Sequence, residues 1–131
     1  MSNARNIASI AGEDVLNASN EIVPVYACRA WVNFNGTDAF SPNPSTSAIR
    51  DSGNVSSIYQ NGTGQYTVNF ATAMPDANYA VAGCSGNAGT TGSGRSVTFN
   101  AALHATFCSI IVTYADQLTI DDEQTTLAFF R

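Results

Sequence analysis

A two-residue alternation of apolar and polar side chains constrains this chain more than any other feature. In "VYACRAWVNF" (residues 25–34) the even positions are Tyr26, Cys28, Ala30, Val32 and Phe34. In "QYTVNF" (65–70) Tyr66, Val68 and Phe70 alternate with Gln65, Thr67 and Asn69. In "FCSIIVTY" (107–114) Cys108, Ile110, Val112 and Tyr114 share one face. A period of two places every second side chain on one side of an extended strand, so these runs are strands with one face on a core. Further strand-like runs are "NVSSIYQ", "YAVAGC" (79–84), "SVTFNA" (96–101), "TTLAFFR" (125–131) and a short one at Ala48–Asp51, with Gly53 in the turn that follows. Turn signals separate them: Asn-Gly-Thr-Gly at 61–64, Pro75-Asp76, and a Gly/Ser/Thr-rich stretch at 85–94. Seven or eight short strands so spaced predict an all-β chain, an antiparallel β-sandwich over residues 24–131. A length of 131 residues is enough for one such core.

If successive strands run antiparallel, the connections alternate between two ends. Residues 35–47, 61–64, 85–94 and 115–124 then share one end. Pro24, the turns at 72–77 and 102–106, and Arg131 share the other. Residues 1–23 leave from this second end and form a separate arm. Ile7, Ile10 and Ala11 suggest at most one helical turn before Gly12. With Ile7, Ile10, Val15 and Leu16 as its apolar side chains, the arm has too little to bury alone and is expected to attach to a partner.

Charge excludes several functions. Five Arg, no Lys and ten acidic residues give a net charge of −5, without the basic footprint that nucleic acid or an anionic membrane surface requires. No run is apolar for long enough to span a bilayer as a helix, and the first residues lack a signal-peptide pattern. Three cysteines, Cys28, Cys84 and Cys108, have no metal spacing and read as free buried thiols, a Cys28–Cys108 bridge being the alternative. His104 is the only histidine and sits in a short connection, where a turn residue is the plain reading. No nucleophile elbow occurs, and "GCSG" (83–86) has the wrong spacing for one. "DDE" (121–123) does not match a calcium loop and reads as a solvated charge run. No enzyme, metal or cofactor is therefore expected. What remains suits hydrogen bonding and stacking: many amides and hydroxyls, and Tyr26, Trp31, Phe34, Phe40 and Tyr59 as aromatic surfaces. Most aromatics in a sandwich belong to its core. Trp31, on the polar side of its strand, and Phe40, in a loop, break that pattern.

The run "ACRAWVNFNGT", followed by "AIRDSGNVSSIYQNGTGQYTVNFATAMPDANYAV", resembles the C-terminal domain of tailed-bacteriophage tail-fibre proteins. The likeness covers residues 25–83, and the "AFFR" ending is similar too; the loop at 38–47 is longer than usual there. The resemblance implies a non-enzymatic, homotrimeric, receptor-facing or structural protein of the virion. With no long shaft before the domain, a short appendage is expected, held to tail or capsid by the arm. In a trimer the outer face of a strand near the axis is buried, so Trp31, Arg29, Val25 and Ala27 are expected at the subunit interface. The outward loops would offer Asp38, Phe40, Asn43, Asn87, Thr90, Thr91 and Arg95 to a host surface glycan, Arg95 as a donor to an acidic sugar. A capsid decoration protein of the same fold, or a free lectin-like module, are the alternatives.

Overall fold

The computed structural model describes residues 14–16, 22–24, 28–87 and 95–131. The described residues form ten strands: β1 (Asp14–Leu16), β2 (Ile22–Pro24), β3 (Cys28–Phe34), β4 (Ile49–Gly53), β5 (Val55–Gly62), β6 (Gln65–Phe70), β7 (Ala80–Gly86), β8 (Arg95–Phe99), β9 (Phe107–Tyr114) and β10 (Gln124–Phe130). Eight of them form two four-stranded sheets, in the orders β4-β3-β10-β7 and β5-β6-β9-β8. Every neighbouring pair is antiparallel. β1 and β2 pair with each other, a pairing the sequence did not announce because neither three-residue strand has room to alternate. The helical turn expected at Ile7–Ala11 lies outside the described residues.

The alternating positions face one another across the sandwich. Val32 and Phe34 (β3), Tyr66 and Val68 (β6), Ile110 and Val112 (β9), and Leu127 and Phe129 (β10) are all at most 1 % exposed. Each such side chain contributes roughly 1.5–3 kcal/mol by leaving water. Aromatic edges lock the two layers together: Phe34 meets Tyr66 edge-to-face at 5.0 Å, and Phe70 meets Phe129 in the same way at 5.0 Å.

The alternation fails at Cys28. The β3–β10 register shifts between Phe129 and Phe130, opposite the start of β3, and Cys28 is exposed there. Cys84 is exposed on the edge strand β7, so Cys108 is the only buried thiol; all three are free. Burial pushes the Cys108 thiol up to about 11. A thiol reagent at neutral pH is therefore expected to modify two cysteines in the native protein and the third only after denaturation. Three fast-reacting thiols would contradict the packing around Cys108.

The strand before the crossing also ends later than expected. It runs through Gly53, which pairs with Trp31. A side chain at 53 would meet the indole, whose Nε1 lies 2.5 Å from an ideal Cβ there. The crossing from one sheet to the other is made by Asn54 alone, with φ of 56°. Asn54 Nδ2 donates to the carbonyls of Arg29 (3.1 Å) and Thr72 (3.0 Å), while its Oδ1 accepts from the Thr72 amide (2.7 Å). Asparagine tolerates positive φ and supplies donor and acceptor together. Asn54→Ala is expected to cost about 2–3 kcal/mol in urea unfolding, from three lost hydrogen bonds and a strained φ. Asn54→Gly should recover about 1 kcal/mol of that by relieving the backbone alone. Equal losses for both variants would mean that φ is not strained.

Because Asn54 still turns the chain, the connections fall where strand parity put them. The residues flanking 35–48, 63–64, 87–94 and 115–123 lie at one end, here called distal. Cys28, the 71–79 connection, residues 100–106 and Arg131 lie at the other. The Asn54 link ties β4 to β5 along one side of the sandwich. On the opposite side a cleft opens between β7 and β8, lined by Val81, Gly83, Val97 and Phe99 over Leu127.

Candidate functional site

The distal end is built on two consecutive carboxylates. Asp122 is fully buried and accepts from Arg95 Nε on both oxygens, at 2.9 and 2.8 Å, and from the Ser85 hydroxyl at 2.8 Å. The Arg95 side chain is only 7 % exposed and its guanidinium lies 4.1 Å over the Tyr114 ring. Ser85 is on β7 and Arg95 begins β8, so Asp122 ties both strands that flank residues 88–94. Asp121 Oδ1 accepts from the Gly64 amide (2.6 Å), from Gln60 Nε2 (3.2 Å) and from the Tyr66 hydroxyl. Burial, reinforced by that carboxylate, raises the Tyr66 phenol well above its ordinary range and keeps it a donor. The 121–123 run is thus the polar centre of the distal end and not the solvated charge run that its composition suggested.

The long connection after β3 is tied down at several points. Asn35 Oδ1 accepts from the Thr37 amide and hydroxyl, and the Gly36 amide donates to the Asp122 carbonyl at 2.8 Å. Phe40 is partly buried and packs on Tyr66 at 5.8 Å between ring centres. Asn43 exchanges two hydrogen bonds with the Gln60 backbone, at 2.9 and 3.1 Å. Ser45 bridges to Ile58.

The residues expected to face a receptor therefore divide. Asp38 is half-buried and its Oδ1 accepts from the Ala39 amide. Phe40 and Asn43 anchor the loop. Asn87 is half-buried at the end of β7, and Thr90 and Thr91 lie outside the described residues. Arg95 is turned inward onto Asp122, which corrects its expected place as a sugar donor: a buried carboxylate draws it in. Residues not singled out stand out instead. Leu118, in a turn closed by the Tyr114 amide on the Leu118 carbonyl, is 65 % exposed, and Gln60 reaches Asp121. A lone leucine among polar turn residues was the available signal. His104 is exposed and stacks on Phe107 at 4.3 Å. Among the described residues no three His, Cys, Asp or Glu side chains gather as metal ligands.

A second surface is the outer face of the β4-β3-β10-β7 sheet. Trp31 is 38 % exposed there, in the row Gly53–Trp31–Ala128–Ala82. Phe130 stands next to it, also 38 % exposed. Arg29 Nε donates to the Arg131 carbonyl of the same chain at 3.1 Å. Val25 and Ala27 lie outside the described residues, as do Ile7 and Ile10; of Val15 and Leu16 the structure gives only their place on β1. Around Trp31 the described residues of this face include Ala82, Ala128 and Phe130.

The arrangement of strands matches part of a phage tailspike. The solved structure is the phiAB6 tailspike in complex with three-repeated oligosaccharides of Acinetobacter baumannii surface polysaccharide. The TM-score is 0.51 at 16 % identity, over 88 % of this chain and 22 % of that one. The chain therefore spans about a fifth of the tailspike's length, and the likeness is one of fold. No family model and no curated protein matches the chain.

Proposed function

We propose that this protein is a non-enzymatic structural component of a tailed-phage virion, a homotrimeric tail-fibre or short-appendage domain that faces a host surface glycan. The observation that carries the reading is the fold shared with a segment of a phage tailspike. It agrees with the resemblance of residues 25–83 to tail-fibre C-terminal domains. Two features of the molecule support it. The longest connection, 35–48, lies with 87–94 and 115–123 at the end away from Cys28, against 71–79 and 100–106 at the other, so a particle that held residues 1–23 on the Cys28 side would present these three outward. Trp31, Ala128, Ala82 and Phe130 form an exposed apolar face of the kind that homo-oligomers bury.

The deciding measurement is mass in solution by light scattering, paired with labelling of particles. The purified chain should have the mass of three subunits, and Trp31→Ala should shift it toward monomer while the melting temperature of the separated subunit changes little. Antibody against the domain should decorate a virion appendage. A stable monomer at micromolar concentration would remove the trimer; label on the capsid lattice instead would make it a decoration protein.

A further inference from the structure

We infer that the outer face of the β5-β6-β9-β8 sheet, centred on Tyr59, is a binding platform for a neutral oligosaccharide. The inference rests on the virion reading and moves its sugar contact from the distal tip to the flank of the sandwich. The four strands hold a single charged residue, Arg95, and that side chain is buried on Asp122. The full chain carries fifteen, five basic and ten acidic. A solvated sheet face ordinarily takes its share of them. Here its outward positions among the described residues are hydroxyls and amides with a few apolar side chains. Tyr59 stands among them 41 % exposed, in the row Tyr59–Thr67–Ser109 that crosses β5, β6 and β9.

The polar groups around the ring are held in place by one another. Asn61 Nδ2 donates to Thr67 Oγ1 at 2.9 Å, Thr67 and Ser109 hydroxyls meet at 3.0 Å, and Asn69 Nδ2 donates to Ser57 Oγ at 3.1 Å. An amide offers donors and an acceptor, and a hydroxyl offers both, so each keeps capacity beyond these bonds. Groups already ordered lose less freedom when a ligand arrives. A tyrosine adds a rigid, amphipathic contact with only two rotatable angles.

This chemistry selects among ligands. A sugar ring presents C–H groups to an aromatic face and hydroxyls to amides around it. An acidic glycan or nucleic acid would find no outward cation among the described residues of this face. A second copy of the chain fits worse, since interface cores are depleted in serine and rich in large apolar side chains. The opposite sheet, with Trp31 and Phe130, has that character.

The test uses the full-length protein against immobilised bacterial surface polysaccharides, neutral and uronate-bearing, by biolayer interferometry. Neutral chains should bind, with affinity unchanged between about 50 and 500 mM salt because no ion pair forms. Tyr59→Ala should weaken binding at least about tenfold, as loss of a stacked aromatic does in other ligand sites, and Tyr59→Phe should stay within about threefold. Replacing residues 88–93 by a two-residue turn should leave binding intact. Loss on loop replacement with no effect of Tyr59→Ala would return the sugar to the tip and overturn this inference while sparing the virion reading. A change of oligomeric mass in Tyr59→Ala would make the face an interface between copies and overturn it too. Failure of every polysaccharide to bind would remove the glycan from both.

Discussion

Asp122→Asn is expected to destabilise the domain by about 3–5 kcal/mol, the usual cost of breaking a buried ion pair from one side. Asp122 is fully buried, and its two oxygens take both of the short bonds from Arg95 Nε together with the Ser85 hydroxyl. Asparagine keeps the shape but replaces one acceptor with a donor. Whichever oxygen is replaced, Arg95 Nε then faces an N–H, and a guanidinium only 7 % exposed loses its counter-charge. A loss of that size lowers the melting temperature by on the order of 10 °C or more in a domain of this length. The effect belongs to the unpaired charge more than to the pair. The double replacement Asp122→Leu with Arg95→Met should therefore recover much of the loss, because removing both charges also removes their desolvation cost. Urea unfolding of the two variants decides the point. A loss under about 1 kcal/mol for Asp122→Asn would mean that water reaches the pair.

The different legibility of the core and the distal end has a physical cause. Strand faces report themselves locally: Tyr66, Val68 and Phe70 alternate because one side of β6 meets Phe34, Ile110 and Phe129 whatever the loops do. Trp31 was visible for the same reason, as an apolar residue out of phase. The Asp122 site is the opposite case. Its partners, Arg95 and Ser85, lie 27 and 37 positions away along the chain. Nothing in "DDE" distinguishes a carboxylate that will be buried from one that will be hydrated. The same long-range closure turned Arg95 from a supposed ligand donor into a structural cation. Cys28 failed for a smaller reason: one register shift beside Phe129 and Phe130 ends the periodicity that placed it inside. Phe40 was identified as an exception, but only its contact with Tyr66 shows that it anchors its loop.

Gly64→Ala is expected to cost about 2–5 kcal/mol, combining a disfavoured backbone conformation with overpacking. Gly64 has φ of +67°, and an ideal Cβ there would lie 2.6 Å from Ile120 N, 2.7 Å from Ile120 O and 2.7 Å from Val112 O. All three are backbone atoms, so no side chain can swing aside. Two of them are bonded to each other, Ile120 N donating to the Val112 carbonyl at 3.1 Å, and Val112 N donates to the Gly64 carbonyl at 2.7 Å. To admit a methyl group, the β5–β6 turn must separate from the segment leading into Asp121. That movement would also break the 2.6 Å bond from the Gly64 amide to Asp121. Two controls separate the causes. Gly64→Asn tolerates positive φ but carries the same Cβ, so it should be nearly as harmful as alanine; recovery with asparagine would mean that backbone strain alone was responsible. Gly86→Ala, at the distal end of β7 with nothing within 4 Å of its Cβ, should change stability by no more than about 0.5 kcal/mol. Gly64 thus holds a point where the β5–β6 turn, the strand β9 and Ile120, just before Asp121, come within contact distance through backbone alone. A substitution that parts them would loosen the distal loops even where the sandwich below stays folded, and hydrogen exchange should show that loss first at the amides of Gly64, Val112 and Ile120.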